Sequence, residues 1–206
     1  MRAAKQATAV RREQIAAAAL SIVASQGLSA MTVARVARLV GLAPSALYRH
    51  YAGKMAILDA VLDLLHDRIL GNLAAARDAA GGLDALHLVL QRQVALVLEF
   101  TAIPRIIFSD EVYGKAPELK AKMHALFADL TEKLALLVRR GQEDGSVRPD
   151  VSPRSAALML VGAFQPCAMR WHLSGGTFDL AGAVAENWEL YRKAVAAPVK
   201  EKRDSQ

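Results

Sequence analysis

At 206 residues, with 53% hydrophobic but only 5% aromatic side chains, the chain holds enough apolar material for one small domain and one larger, or one large helical body. Its Ala- and Leu-rich composition favours helices over a β-sandwich, no apolar run reaches the roughly 18 residues that span a bilayer, and the lone Cys167 excludes an internal disulfide framework and suits a reducing cytoplasm. The net charge of +6 is unevenly placed: the first 54 residues carry Arg2, Lys5, Arg11, Arg12, Arg35, Arg38, Arg49 and Lys54 against Glu13 alone, leaving the remainder nearly neutral. Such concentration fits a polyanionic partner; charge by itself does not separate nucleic acid from a membrane surface.

In chain order, Ile15, Ala19, Ile22 and Val23 form one apolar stripe, which predicts a helix from about Arg11 to Gln26. Glu13 interrupts the basic start, unlike a secretion signal. Thr32 is a good N-cap for a short helix from Val33 to Val40, and Gly41 can end it in the left-handed conformation. Pro44 suits the first turn of the next helix, to Tyr51. Long helices are predicted from Lys54 to about Ala79, Leu83 to Phe100 and Glu118 to Arg140, with a shorter one over Arg105 to Val112. Ser152-Pro153 opens a helix to Leu173, Leu180 to Val195 is the last, and a disordered tail is predicted from Ala197. The prediction is an all-α chain of about nine helices.

Between Thr32 and Tyr51 the sequence TVARVARLVGLAPSALYRHY reads as a helix-turn-helix, two short helices joined by a glycine turn. Ala37 is small where the helices cross, and Leu42 and Leu47 tie the second to the core. This block resembles the DNA-binding domain of the TetR family: an alanine four before the glycine, Leu-Tyr-x-His-aromatic, and Lys54 opening a long helix all occur at the family's spacing. The resemblance is specific over residues 11–65. Further on it is architectural, including the loop from Gly141 through Gly145 to Val147-Arg148-Pro149-Asp150. It implies a helix-turn-helix domain (1–53), a helical ligand-binding and dimerisation domain (54–196) and a tail (197–206). The chain departs from the family pattern at Ala43, Pro44, Ser45 and Ala46, so the reading helix lacks a side-chain cap.

Thr32, Pro44 and Ser45 lie at helix starts, where hydroxyl and backbone N–H groups favour phosphate. Arg49 and His50 are the best candidates for base edges, and Arg35 and Arg38 for flanking phosphates. Arg2, Lys5, Arg11 and Arg12 read as an arm, and Tyr51 reads as core. The resemblance implies that Tyr48 and Lys54 contact the phosphate backbone. It also implies an inducer pocket, for which His66, Phe100, Ile103, Ile107, Tyr113, Phe127, Met159, Phe164, Cys167 and Trp171 are candidates, with Arg105 among the groups able to hold a polar end. An apolar or aromatic small molecule would suit those walls. Self-association is expected through the last two helices, with Ala156, Leu160, Ala163, Leu180, Val184, Trp188 and Tyr191 at the interface.

The expected partners are therefore double-stranded operator DNA, a second copy of the chain and a small-molecule effector, with no membrane. No catalytic constellation, metal cluster or cofactor motif is present: the histidines are scattered, and no glycine-rich phosphate loop or nucleophile elbow occurs. The alternative is a helical protein bound nonspecifically to the nucleoid or to a membrane surface.

Overall fold

A computed structural model describes residues 2–113 and 116–198 of the chain, without the side chains of residues 2–9, 111 and 113. Among these residues run ten α-helices: α1 (Arg2–Gln26), α2 (Val33–Leu39), α3 (Pro44–Tyr48), α4 (Lys54–Ala75), α5 (Gly82–Glu99), α6 (Ile103–Ile107), α7 (Asp110–Tyr113), α8 (Pro117–Glu143), α9 (Pro153–Leu173) and α10 (Leu180–Val195). A 3-10 turn covers Leu28–Ala30. None of the helices among the described residues is long and apolar enough to cross a membrane.

Beyond shifts of a few residues at the helix ends, two features differ from the sequence prediction. The first helix begins at Arg2, well before its apolar stripe. Arg2 and Lys5 therefore extend a helix instead of forming an arm, and their side chains lie outside the described residues. The single helix expected over Arg105 to Val112 is two. Ser109 Oγ donates to the Ile106 carbonyl (2.8 Å) and accepts from the Val112 N–H (3.4 Å), closing one turn and opening the next. The expected tail falls outside the described residues from 199 on. Before that point the chain is pinned: the Ala197 N–H donates to the Ser146 carbonyl at 3.0 Å.

The chain divides into two compact units, one of residues up to Gly71 with Ala95–Ala128, the other of Asn72–Val94 with the residues from Asp129 on. This differs from a division at residue 53. In the first unit the α1 stripe (Ile15, Ala19, Ile22, Val23) and the α4 stripe (Ile57, Leu58, Val61, Leu62, Leu65) are both buried. One long helix and two short ones bury too little apolar surface to hold a core alone, so the first part of α4 belongs with them. Arg105 adds a polar tie by donating from Nη1 to the Val23 carbonyl at 2.8 Å, so its guanidinium serves α1 and not a ligand. Lys122 of α8 pairs with Asp59 and Asp63 of α4.

In the second unit α5 starts against the end of α8. A Cβ built on Gly82 would lie 2.1 Å from the Gly141 backbone nitrogen, so only glycine fits. Asp144 accepts from the Gly82 N–H (2.6 Å) and Ser146 Oγ from the Leu83 N–H (3.3 Å), capping α5 from a loop some sixty residues away. Along α9, Pro166 interrupts the hydrogen-bond ladder. One turn earlier, the Ala163 carbonyl accepts from Asn187 Nδ2 of α10 at 2.8 Å.

Six of the seven interface residues expected from the sequence belong instead to the core. Ala156, Leu160, Leu180, Val184, Trp188 and Tyr191 are buried within the protomer, and Ala163 is half-buried. Trp188 stacks on His87 of α5 with ring centroids 4.5 Å apart. The most apolar stripes of α9 and α10 were consumed by their own neighbours. The large apolar side chains left exposed on these helices are Leu158 (62%) and Met159 (47%) of α9, Leu190 (66%) of α10, and Leu173 (76%) at the end of α9.

The pocket candidates divide between the units. In the first, Ile103 is buried, and His66, Phe100, Ile107 and Phe127 are half-buried. The Arg68 guanidinium lies 6.0 Å from the Phe100 ring centroid. Tyr113 has no described side chain. In the second, Cys167 and Trp171 are buried and Phe164 half-buried, whereas Met159 is exposed.

Candidate nucleic-acid interface

The motif is built from local interactions. Thr32 Oγ1 accepts from the Arg35 N–H at 3.3 Å and caps α2, whose Val33, Val36 and Ala37 are buried. Gly41 takes φ +71°, which a side chain would disfavour. The turn then lets the Leu42 N–H reach the Ala37 carbonyl at 2.8 Å. Ala43 precedes α3 without a side-chain cap, as its sequence requires, and Pro44 fills the first turn. Leu47 is fully buried and anchors α3. The helix ends at Tyr48, so Arg49 and His50 sit just beyond it in a turn held by the His50 N–H to the Leu47 carbonyl (3.0 Å).

With Leu47 turned inward, the rest of α3 faces out. Pro44, Ser45, Arg49 and His50 are exposed, Tyr48 is 54% exposed, and Arg38 is exposed at the end of α2. Thr32 is exposed with its oxygen engaged in the cap, and Lys54 is half-buried at the start of α4. Arg35 is a correction. It is half-buried and donates to the Ala30 carbonyl (3.3 Å) and to Gln26 Oε1, bracing α2 against the end of α1. Two of the five guanidinium N–H donors are thus committed to α1 and the turn after it.

Tyr51 follows the motif and is 6% exposed, in keeping with its reading as core. Its hydroxyl is buried without a hydrogen-bond partner. Burial raises its pKa; the nearby Arg12 opposes that shift and Asp63 adds to it. Arg11 and Arg12, expected both at the start of the first helix and as part of an arm, lie within α1 and beside Tyr51, a proximity that the sequence did not indicate. The early start of that helix had a cue in the unbroken helix-favouring composition from Arg2 onward.

Residues 15–61 match the model of the bacterial regulatory proteins, tetR family. The chain belongs to that family. The match runs from the apolar stripe of α1 through the α2–α3 motif into α4. This TetR-family chain is 29% identical over 199 residues to the HTH-type transcriptional regulator TtgR of Pseudomonas putida, spanning 91% of this chain and 92% of that one. It is 25% identical over 193 residues to the nucleoid occlusion factor SlmA of Vibrio vulnificus, spanning 92% and 96%. The solved structure of the transcriptional regulator FadR from Bacillus subtilis in complex with stearoyl-CoA shares its fold. There the TM-score is 0.74 at 20% identity, over 87% of this chain and 96% of that one. The TetR-family chain is a DNA-binding transcriptional regulator.

Proposed function

We propose that the protein is a ligand-responsive repressor, without enzymatic activity, that acts in the cytoplasm and binds a palindromic operator as a homodimer. One observation carries this reading: burial of Leu47 turns Ser45, Tyr48, Arg49 and His50 outward together, on the part of the chain that holds the excess positive charge. Tyr48 and Lys54 take backbone phosphates and Arg49 a base edge. The outer row of α9 and α10 (Leu158, Met159, Leu190) supports pairing of two copies, because the inward stripes are already used. Two reading heads then require two half-sites.

The effector is an apolar or aromatic small molecule. Supporting this are the apolar Phe100, Ile103 and Ile107 of the first unit, together with the stearoyl-CoA held by the structurally similar FadR. Such a ligand acts only if it binds one arrangement of the reading heads better than the other. Selection of duplexes from a random pool, followed by footprinting, tests the reading. A protected palindrome is expected. Equal binding to every duplex and to heparin would instead favour nonspecific nucleoid binding, the reading to which the likeness to a nucleoid occlusion factor lends support.

A further inference from the structure

Two hollows adjoin Tyr51 in the first unit, and they differ in charge. The smaller, about 370 Å³, is walled by Arg11 and Arg12 of α1, Leu42, Ala46 of α3, His50 and Tyr51, and no carboxylate lines it. The larger, about 690 Å³, shares Arg12, His50 and Tyr51 with the smaller and adds Arg68 and the carboxylates of Glu13, Asp59, Asp63 and Asp67. An anion is therefore drawn to the first and repelled from the second.

Three other basic side chains of this unit are engaged, Arg68 with Glu13, Lys122 with Asp59 and Asp63, and Arg105 with the Val23 carbonyl, whereas Arg38 and Arg49 are exposed on the α2–α3 motif. Among the described residues no carboxylate pairs with Arg11 or Arg12, and both are exposed. Tyr51 supplies an independent observation. It lines both hollows and is more than nine-tenths buried, yet its hydroxyl has no partner. Packing alone needs only the ring, and a phenylalanine would serve. A buried hydroxyl without an acceptor is costly and calls for one.

We propose that the smaller hollow is an oxyanion seat for one phosphate group, held by the Arg11 and Arg12 guanidiniums, an imidazole N–H of His50 and the Tyr51 hydroxyl. The phosphate comes either from the backbone of a duplex lying across α3 or from free inorganic phosphate. The duplex source rests on the DNA-binding reading above. On this view His50 holds a phosphate and does not read a base, and Tyr51 is a ligand-binding residue as well as core.

The test uses the full chain, a duplex selected from a random pool, and binding measured by fluorescence anisotropy across a salt series. Arg12→Gln is expected to weaken binding about tenfold and to reduce the salt slope by about one. Tyr51→Phe is expected to weaken binding several-fold with the slope unchanged and without lowering the melting temperature. Methylphosphonates placed singly along the duplex identify the source. If one position weakens wild type but adds nothing to Arg12→Gln, the seat takes a backbone phosphate. If no position couples to Arg12, but orthophosphate raises the melting temperature of wild type and not of Arg12→Gln, it takes free phosphate. The proposal is overturned if both variants bind like wild type and orthophosphate stabilises neither protein. A wild-type protein that prefers no duplex refutes the operator reading instead, and the orthophosphate arm still decides the seat.

Discussion

Arg105 of α6 donates its guanidinium N–H to the main-chain carbonyl of Val23 in α1, 2.8 Å away and 82 residues earlier in the chain. That carbonyl also accepts the Gly27 N–H at 3.0 Å, where the helix ends. A charged donor on a half-buried carbonyl contributes about 1.5–3 kcal/mol. Arg105→Ala should therefore lower the melting temperature by about 3–10 °C. Lysine at this position should recover only part of the loss, because it lacks the guanidinium's reach and planarity. Calorimetry checks both, and an unchanged melting curve would show the bond to be dispensable.

The outward side chains of α3 should affect binding without affecting the fold. Tyr48→Ala removes a side chain that is more than half exposed, so stability should hold while affinity falls for every duplex tested. Arg49→Ala should instead relax preference at one base pair by about 1–3 kcal/mol. Lys54→Ala should reduce the salt slope. Comparing specific with scrambled duplexes separates the three behaviours, and wild-type affinity for all of them would sink these contact assignments.

Faces of α9 and α10 predict opposite outcomes. Leu158→Asp and Leu190→Asp alter the outer row and should yield folded monomers in analytical ultracentrifugation. Trp188→Ala removes a buried ring stacked on His87 and should cost about 3–5 kcal/mol within the protomer itself. If the aspartate variants remain dimeric, the copies pair elsewhere.

Asp144 links the second unit's stability to pH. Its partial burial favours the neutral acid, but hydrogen bonds from Ser146 and the Gly82 N–H, aided by the Arg140 charge, outweigh that and hold the carboxyl below its usual pKa. A depressed folded pKa stabilises the fold above the unfolded pKa, and the benefit disappears as pH falls through the folded value. Denaturant titrations should thus show Asp144→Asn less stable than wild type at neutral pH. The gap should close at pH values below the ordinary carboxylate range. A gap independent of pH would assign the effect to packing.

Tyr191 should behave in the opposite sense. Burial alone pushes its pKa far up, and its hydroxyl has no partner. Tyr191→Phe should leave stability unchanged or raise it, since the substitution removes an unsatisfied group and keeps the ring. A raised folded pKa also means that wild type loses stability once pH climbs above the unfolded value near 10, a loss the variant escapes. Substantial destabilisation of the variant at neutral pH would reveal an acceptor for the hydroxyl.

The helix-turn-helix could be read from the sequence because its determinants are local. The Thr32 cap, the positive φ of Gly41, Pro44 in the first turn and Leu47 as anchor lie within sixteen residues and act on their immediate neighbours. Other features needed the assembled chain. Periodicity marks an apolar face without saying what covers it. Trp188 and Tyr191 therefore looked like an interface and proved to be core, while Leu158 and Leu190 stayed outside. A guanidinium's partners depend on which backbone carbonyls end up within reach. That geometry turned Arg35 and Arg105 inward and left Arg11 and Arg12 free of carboxylates. Side-chain type set the chemistry available at each position, and long-range packing decided which groups meet.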